Sequence, residues 1–152
     1  MKTIRLFAAL AALVLCCSCA GTKKKPESVK LEPFTANDAA EGKRIASAFT
    51  EGFVTAIRTD NFEAWRPLIP TDKPTRITPE IFAGIREELN ASFGQLENSL
   101  YIGELQKGDL RDHLWKLRFV RDGKVNEVVF LVRVFRTKSG KPEVSGFGIK
   151  RF

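Results

Sequence analysis

Apolar side chains set the first half of the chain. Ile45, Phe49, Phe53, Ala56 and Ile57 recur at spacings of four and three, which places them on one face of a helix over about 39–58. Asn37-Asp38 offers its N-cap, and Thr59-Asp60-Asn61 breaks it. Phe62, Trp65, Leu68 and Ile69 predict a short second helical segment, made irregular by Pro67 and closed by Pro70. Thr71 to Arg76 reads as a loop. Thr78 then caps a third helix with Pro79 at its first position, and Ile81, Phe82, Ile85, Leu89 and Phe93 form the stripe. Gly94 stops it.

Beyond Gly94 the period drops to two. Leu96 to Leu105 reads as a strand with Gly103 as a bulge. His113, Trp115, Leu117 and Phe119 alternate with Leu114, Lys116, Arg118 and Val120, so they share one face of a second strand that begins at His113. Asp122-Gly123 is a hairpin signal. Val125 to Phe135 is apolar on both faces toward its middle, as a central strand should be. Thr137 to Lys141 is a turn, and Glu143 to Phe152 a fourth strand. Helices followed by a meander predict an α+β domain, N-terminal helices packed on a curved four-stranded antiparallel sheet.

The long first helix, the step Asp60-Asn61-Phe62-Glu63-Ala64-Trp65 into a short one and a sheet ending the chain resemble the nuclear-transport-factor-2-like, or cystatin-like, cone fold over about 37–152. Gly94-Gln95-Leu96, Tyr101-Ile102-Gly103 and Ser145-Gly146-Phe147-Gly148 are similar to sheet patterns of small exported members of unassigned function. The resemblance implies a cone with an apolar pocket. It leaves the activity open, because that fold hosts isomerases, dehydratases and binding modules alike.

The first residues follow neither period. Met1–Arg5 carries two positive charges, and Leu6 to Leu15 is an unbroken apolar run. Ten residues are too few for a bilayer, which needs about 20, and fit the core of a signal peptide over 1–18. All three cysteines fall at 16, 17 and 19. The stretch Cys16-Cys17-Ser18-Cys19-Ala20-Gly21 resembles the lipobox of bacterial lipoproteins. Cys19, between small residues, matches its lipidated position best, with Cys17 as the alternative; Cys16 stands where that family usually has leucine. The resemblance implies a diacylglyceryl thioether plus an N-acyl chain, a stable membrane anchor. Residues 19–36, with Lys23-Lys24-Lys25, Pro26 and Pro33, read as a flexible spacer. The expectation is a bacterial protein exported and held on the cell membrane or outer membrane, with its folded domain at 37–152.

Charge narrows the partners. The chain has 25 basic and 18 acidic residues, net +7. Lys2, Arg5, Lys23, Lys24, Lys25 and Lys30, against Glu27 and Glu32, precede position 37, so the domain carries 19 basic and 16 acidic residues. An excess of about three argues against nucleic acid. Arg and Lys at 116, 118, 121, 133 and 136 protect strand edges or meet an anionic partner.

Chemistry-bearing residues are few. His113 is the only histidine and Tyr101 the only tyrosine. Asp112 precedes His113, so the two side chains point to opposite faces. His113 therefore reads as a strand-end histidine near solvent, and Tyr101 as a ring at the core edge. Trp65, Tyr101, His113, Trp115 and Phe119 are the candidates to line a pocket. No spacing of ligands predicts a metal, no glycine-rich loop cradles a phosphate, and no cofactor is expected. The leading reading is a lipid-anchored envelope module without catalytic activity, binding a small apolar ligand or an envelope protein. The alternative is a small pocket hydrolase or isomerase using Tyr101 and His113. A homodimer through the open sheet face, with Leu114, Val120 and Val129 as its apolar patch, is a further expectation.

Overall fold

The computed structural model describes residues 35–70, 77–137 and 139–151. Cys17, Cys19 and most of the spacer lie outside them. Helix α1 spans Ala36–Thr59. It starts earlier than expected because its cap is Thr35, not Asn37. The Thr35 side chain accepts from the Asp38 amide, and the Asp38 carboxylate accepts from the Thr35 amide, satisfying two amides a helix start leaves free. The same Thr35 hydroxyl holds the Asp38 carboxyl below the usual carboxylate range. Asp60, in the left-handed region, ends the helix.

The short second segment is two 3-10 turns, Phe62–Ala64 and Arg66–Leu68. They lie against α1 at Gly52, where a Cβ would stand 2.5 Å from Leu68 Cδ1 and 3.2 Å from the Ala64 carbonyl oxygen. Helix α2 spans Pro79–Phe93, capped by the Thr78 side chain, which accepts from the Ile81 amide. Gly94 follows at φ 97°, a conformation only glycine adopts without strain. A Cβ there would collide with the Val120 carbonyl, so the chain turns from helix to sheet in contact with the second strand.

Four strands follow: β1 Gln95–Lys107, β2 Leu110–Arg121, β3 Lys124–Arg136 and β4 Pro142–Arg151. Each pairs antiparallel with the next, in the order β1-β2-β3-β4. Asp122 and Gly123 both take positive φ, 51° and 73°, in the β2–β3 turn, as Asp-Gly hairpins require. Register shifts at Leu96/Asn98, Tyr101/Gly103 and Arg133/Val134 bend the sheet, the second at the expected Gly103 bulge. The domain is α+β, helices on one face of a curved, open antiparallel sheet.

Helix α1 crosses all four strands, whereas α2 meets the β1–β2 side. Between helices and sheet, Ala46, Phe49, Phe53, Trp65, Leu117, Phe119, Val128, Phe130, Val132 and Val134 are fully buried. Phe53 stacks on Phe130 at 4.6 Å and 9°. The middle of the cone is therefore filled by its own side chains. The other sheet face carries cross-strand ion pairs, Asp112 with Arg133 and Lys116 with Glu127, around half-buried Leu114, Val120, Val129 and Leu131. Leu31–Phe152 forms a compact unit by itself.

Candidate functional site

Two regions remain once the filled core is set aside. One is a polar cluster on the inward face of β1 and β2. The register places Tyr101 opposite Trp115 and Glu104 opposite His113. His113 is not near solvent. Its strand begins three residues earlier, at Leu110, and the side chain is fully buried under α1. Asp112 does point the other way, and two short bonds from Arg133, at 2.6 and 2.8 Å, hold its carboxyl below the usual range.

His113 Nδ1 lies 3.4 Å from the Tyr101 hydroxyl and 3.5 Å from Glu104 Oε2. Arg111 Nη1 donates to the other Glu104 oxygen at 2.6 Å. The Lys43 ammonium, from α1, sits 4.4 Å over the Tyr101 ring. The carboxylate beside Nδ1 favours the imidazole proton there. Nε2 is then a bare acceptor, buried with no hydrogen-bond partner. Burial pushes the His113 pKa down, more than the Glu104 charge raises it. Burial likewise raises Tyr101. The site therefore holds a neutral, oriented imidazole sealed from water.

Of the five candidate pocket residues, Tyr101, His113 and Trp115 come together. The Tyr101 and Trp115 rings meet edge-on at 5.2 Å. Trp65 belongs to another cluster, against Phe49, Phe53 and Phe147. Phe119 tilts on Phe93 at 5.5 Å, further along β2. Sequence reasoning passed over Glu104 and Arg111. Their signal is alternation: with β2 started at Leu110, Arg111 falls on the same face as His113.

The second region is an apolar groove. Helix α2 stands off from the edge strand β4, and between them lies a cavity of about 570 Å³ lined by Phe49, Ile81, Ile85, Val144 and Phe147, among others. Ile85 and Phe147 also line a second cavity of about 300 Å³, which continues past Leu89, Phe93 and Ile149 to Glu88 and Arg151. Ile85 and Phe147 are thus common to the walls of both cavities, and the larger cavity is a trough between α2 and β4. Ile81, among its lining residues, is 47% exposed. The larger cavity has no titratable side chain among its lining residues.

Among the described residues no cluster of His, Cys, Asp or Glu is arranged to hold a metal ion, and no helix is long and apolar enough to cross a membrane.

No protein-family model and no curated protein matches the chain. Several solved structures are similar, two of them as follows. A crystal structure of a loop-truncation variant of IdmH has a TM-score of 0.43 and 18% identity, covering 68% of this chain and 90% of that one. Bd1075 of Bdellovibrio bacteriovorus has a TM-score of 0.44 and 11% identity, covering 78% of this chain and 43% of that one. The function therefore rests on the chain's own residues.

Proposed function

We propose that this protein is a lipid-anchored binding module of the bacterial cell envelope, a nuclear-transport-factor-2-like cone that takes an apolar ligand in the trough between α2 and β4. The trough is the observation that carries the reading. An open groove of 570 Å³ walled by isoleucine, valine and phenylalanine is within the size range of small-molecule sites and releases water when filled. The chemistry at its walls is that of binding, not reaction. The anchor is Cys19, on the strength of the lipobox-like run before it. The sheet face opposite the helices, with Leu114, Val120 and Val129, is left for a second copy or an envelope protein.

Two measurements test this. Cys19→Ser is expected to move the protein from the membrane pellet to the soluble fraction of cells; an unchanged distribution, with Cys17→Ser also silent, removes the anchor. Ile85→Trp places a bulky ring on the wall of the trough. It is expected to abolish the fluorescence gain of Nile red on the 31–152 domain while leaving the melting temperature within a few degrees. Equal dye binding by both proteins removes the trough.

Glu104 beside His113 supports a second reading, a pocket hydrolase or isomerase in which His113 Nε2 takes a proton and Tyr101 donates. A general base must reach its substrate. If diethyl pyrocarbonate leaves His113 of the folded protein unmodified, this reading falls.

A further inference from the structure

Among the described residues the sheet has two free edges, β1 and β4, since each pairs with one neighbouring strand. The two edges differ in what they show to water. Leu100, Ile102 and Leu105 of β1 are 57%, 46% and 59% exposed, whereas β4 has no exposed large apolar side chain among the described residues. Leu100 and Leu105 are five positions apart, a spacing that puts side chains on opposite faces of a regular strand. The irregularity between Tyr101 and Gly103 inserts one residue and cancels that alternation. Leu100 therefore pairs with Lys116 and Leu105 with Asp112, both on the sheet face away from the helices. A long edge with apolar side chains is a template for another strand.

We propose that the strand it takes is β1 of a second copy, paired antiparallel about a two-fold axis between Ile102 and Gly103, so that two four-stranded sheets join into one. In that register Leu100 of each copy faces Leu105 of the other on the outer side, and Tyr101 faces Glu104 on the inner side. Facing residues share a side of the sheet only because of the bulge, which makes an odd spacing bring like faces together. Sliding the copies to the next such register sets Leu100 against Gly103 in one direction and against Lys107 in the other. The leucines thus select one pairing. The end charges agree with it. Glu97 lies near the start of β1 and Lys107 at its end, so antiparallel copies bring each Lys107 beside the Glu97 of the other. Glu97 already meets Arg118 at 3.2 Å, so these charges orient the pair and the leucines and the strand backbones supply affinity. The contact uses the rim of the sheet, not its face with Leu114, Val120 and Val129, and it is independent of the trough.

Sedimentation velocity of the 31–152 domain tests this, at concentrations from about 5 to about 500 µM because an edge pairing is a small interface. Wild type is expected to pass from monomer to dimer across that range. Leu105→Glu weakens dimerisation about tenfold, since the symmetry spoils two facing pairs at once. Leu100→Lys does the same. Combining the two substitutions in one chain sets opposite charges face to face across the axis and restores part of the loss. Val129→Lys, on the sheet face, leaves the dimer unchanged. A wild type still monomeric at the highest concentration, a dimer indifferent to Leu105→Glu, or a dimer broken by Val129→Lys overturns the edge pairing. A combined variant no more dimeric than either single one overturns the register.

Discussion

Trp65→Ala is expected to remove about 3–5 kcal/mol of stability, read from urea unfolding followed by circular dichroism. Trp65 is fully buried, with ring centroids 4.9 Å from Phe53 and 5.2 Å from both Phe49 and Phe147. It packs between the 3-10 turns, α1 and Phe147 of β4. Alanine would leave a hole lined by rings, which cannot collapse without moving α1. Domains of this kind have about 5–15 kcal/mol in total, so the variant sits near the unfolding threshold. Trp65→Phe separates volume from chemistry. The indole Nε1 is buried with no hydrogen-bond partner, so the native state bears an unmet donor there. Phenylalanine removes that donor and most of the hole, and the loss should stay under about 1.5 kcal/mol. A Trp65→Ala loss below about 1 kcal/mol would refute the placement of this ring.

His113 makes the domain acid-sensitive. Its pKa lies below the ordinary value of 6.5 in the folded state because burial disfavours the cation. In the unfolded chain it titrates near 6.5. Above that pH neither state binds the proton, and stability is flat with respect to this group. As pH falls below 6.5 the unfolded state binds more protons, and stability drops until the folded pKa is reached. The slope in that window approaches about 1.4 kcal/mol per pH unit for one proton. The groups facing His113 are Tyr101, Glu104, Arg111 and, from α1, Lys43. Glu104 opposes the effect, and Arg111 and Lys43 add to it. Urea midpoints between pH 5 and 7 should fall with acid in wild type and lose that slope in His113→Phe. Equal slopes in the two proteins would refute the sealed imidazole.

The architecture was readable because period and punctuation agreed. Thr78-Pro79 and Gly94 bound α2 as expected, since the cap, the fixed proline φ and the left-handed glycine are local devices. Asp122-Gly123 fixed the central hairpin for the same reason. The misplaced features depended on distant partners. Thr35 outcompeted Asn37 as cap because Asp38 reciprocates, and aspartate at that position is a weaker signal than glutamate. His113 looked like a strand end because Leu110 to Asp112 is mostly charged. Only the pairing of Arg111 with Glu104 inside, and of Asp112 with Arg133 outside, explains why charged residues continue the strand. Of the candidate site, Tyr101, His113 and Trp115 were legible by alternation. The trough was not, because it arises where α2 parts from β4, and no run of residues encodes the gap between two elements.

The sheet is a simple meander, each strand laid beside the one made just before it. Its hairpins close over short loops and can form in sequence, with little entropy lost at each step. Helix α1 has no such neighbour. During synthesis its stripe of Phe49, Phe53 and Ile57 emerges long before Val128 and Phe130 exist to receive it. The opening third of the domain thus spends its early life as exposed grease. A helper that shields apolar helices, or a rapid passage before folding begins, is the natural complement of an order in which the lid is made before the bowl.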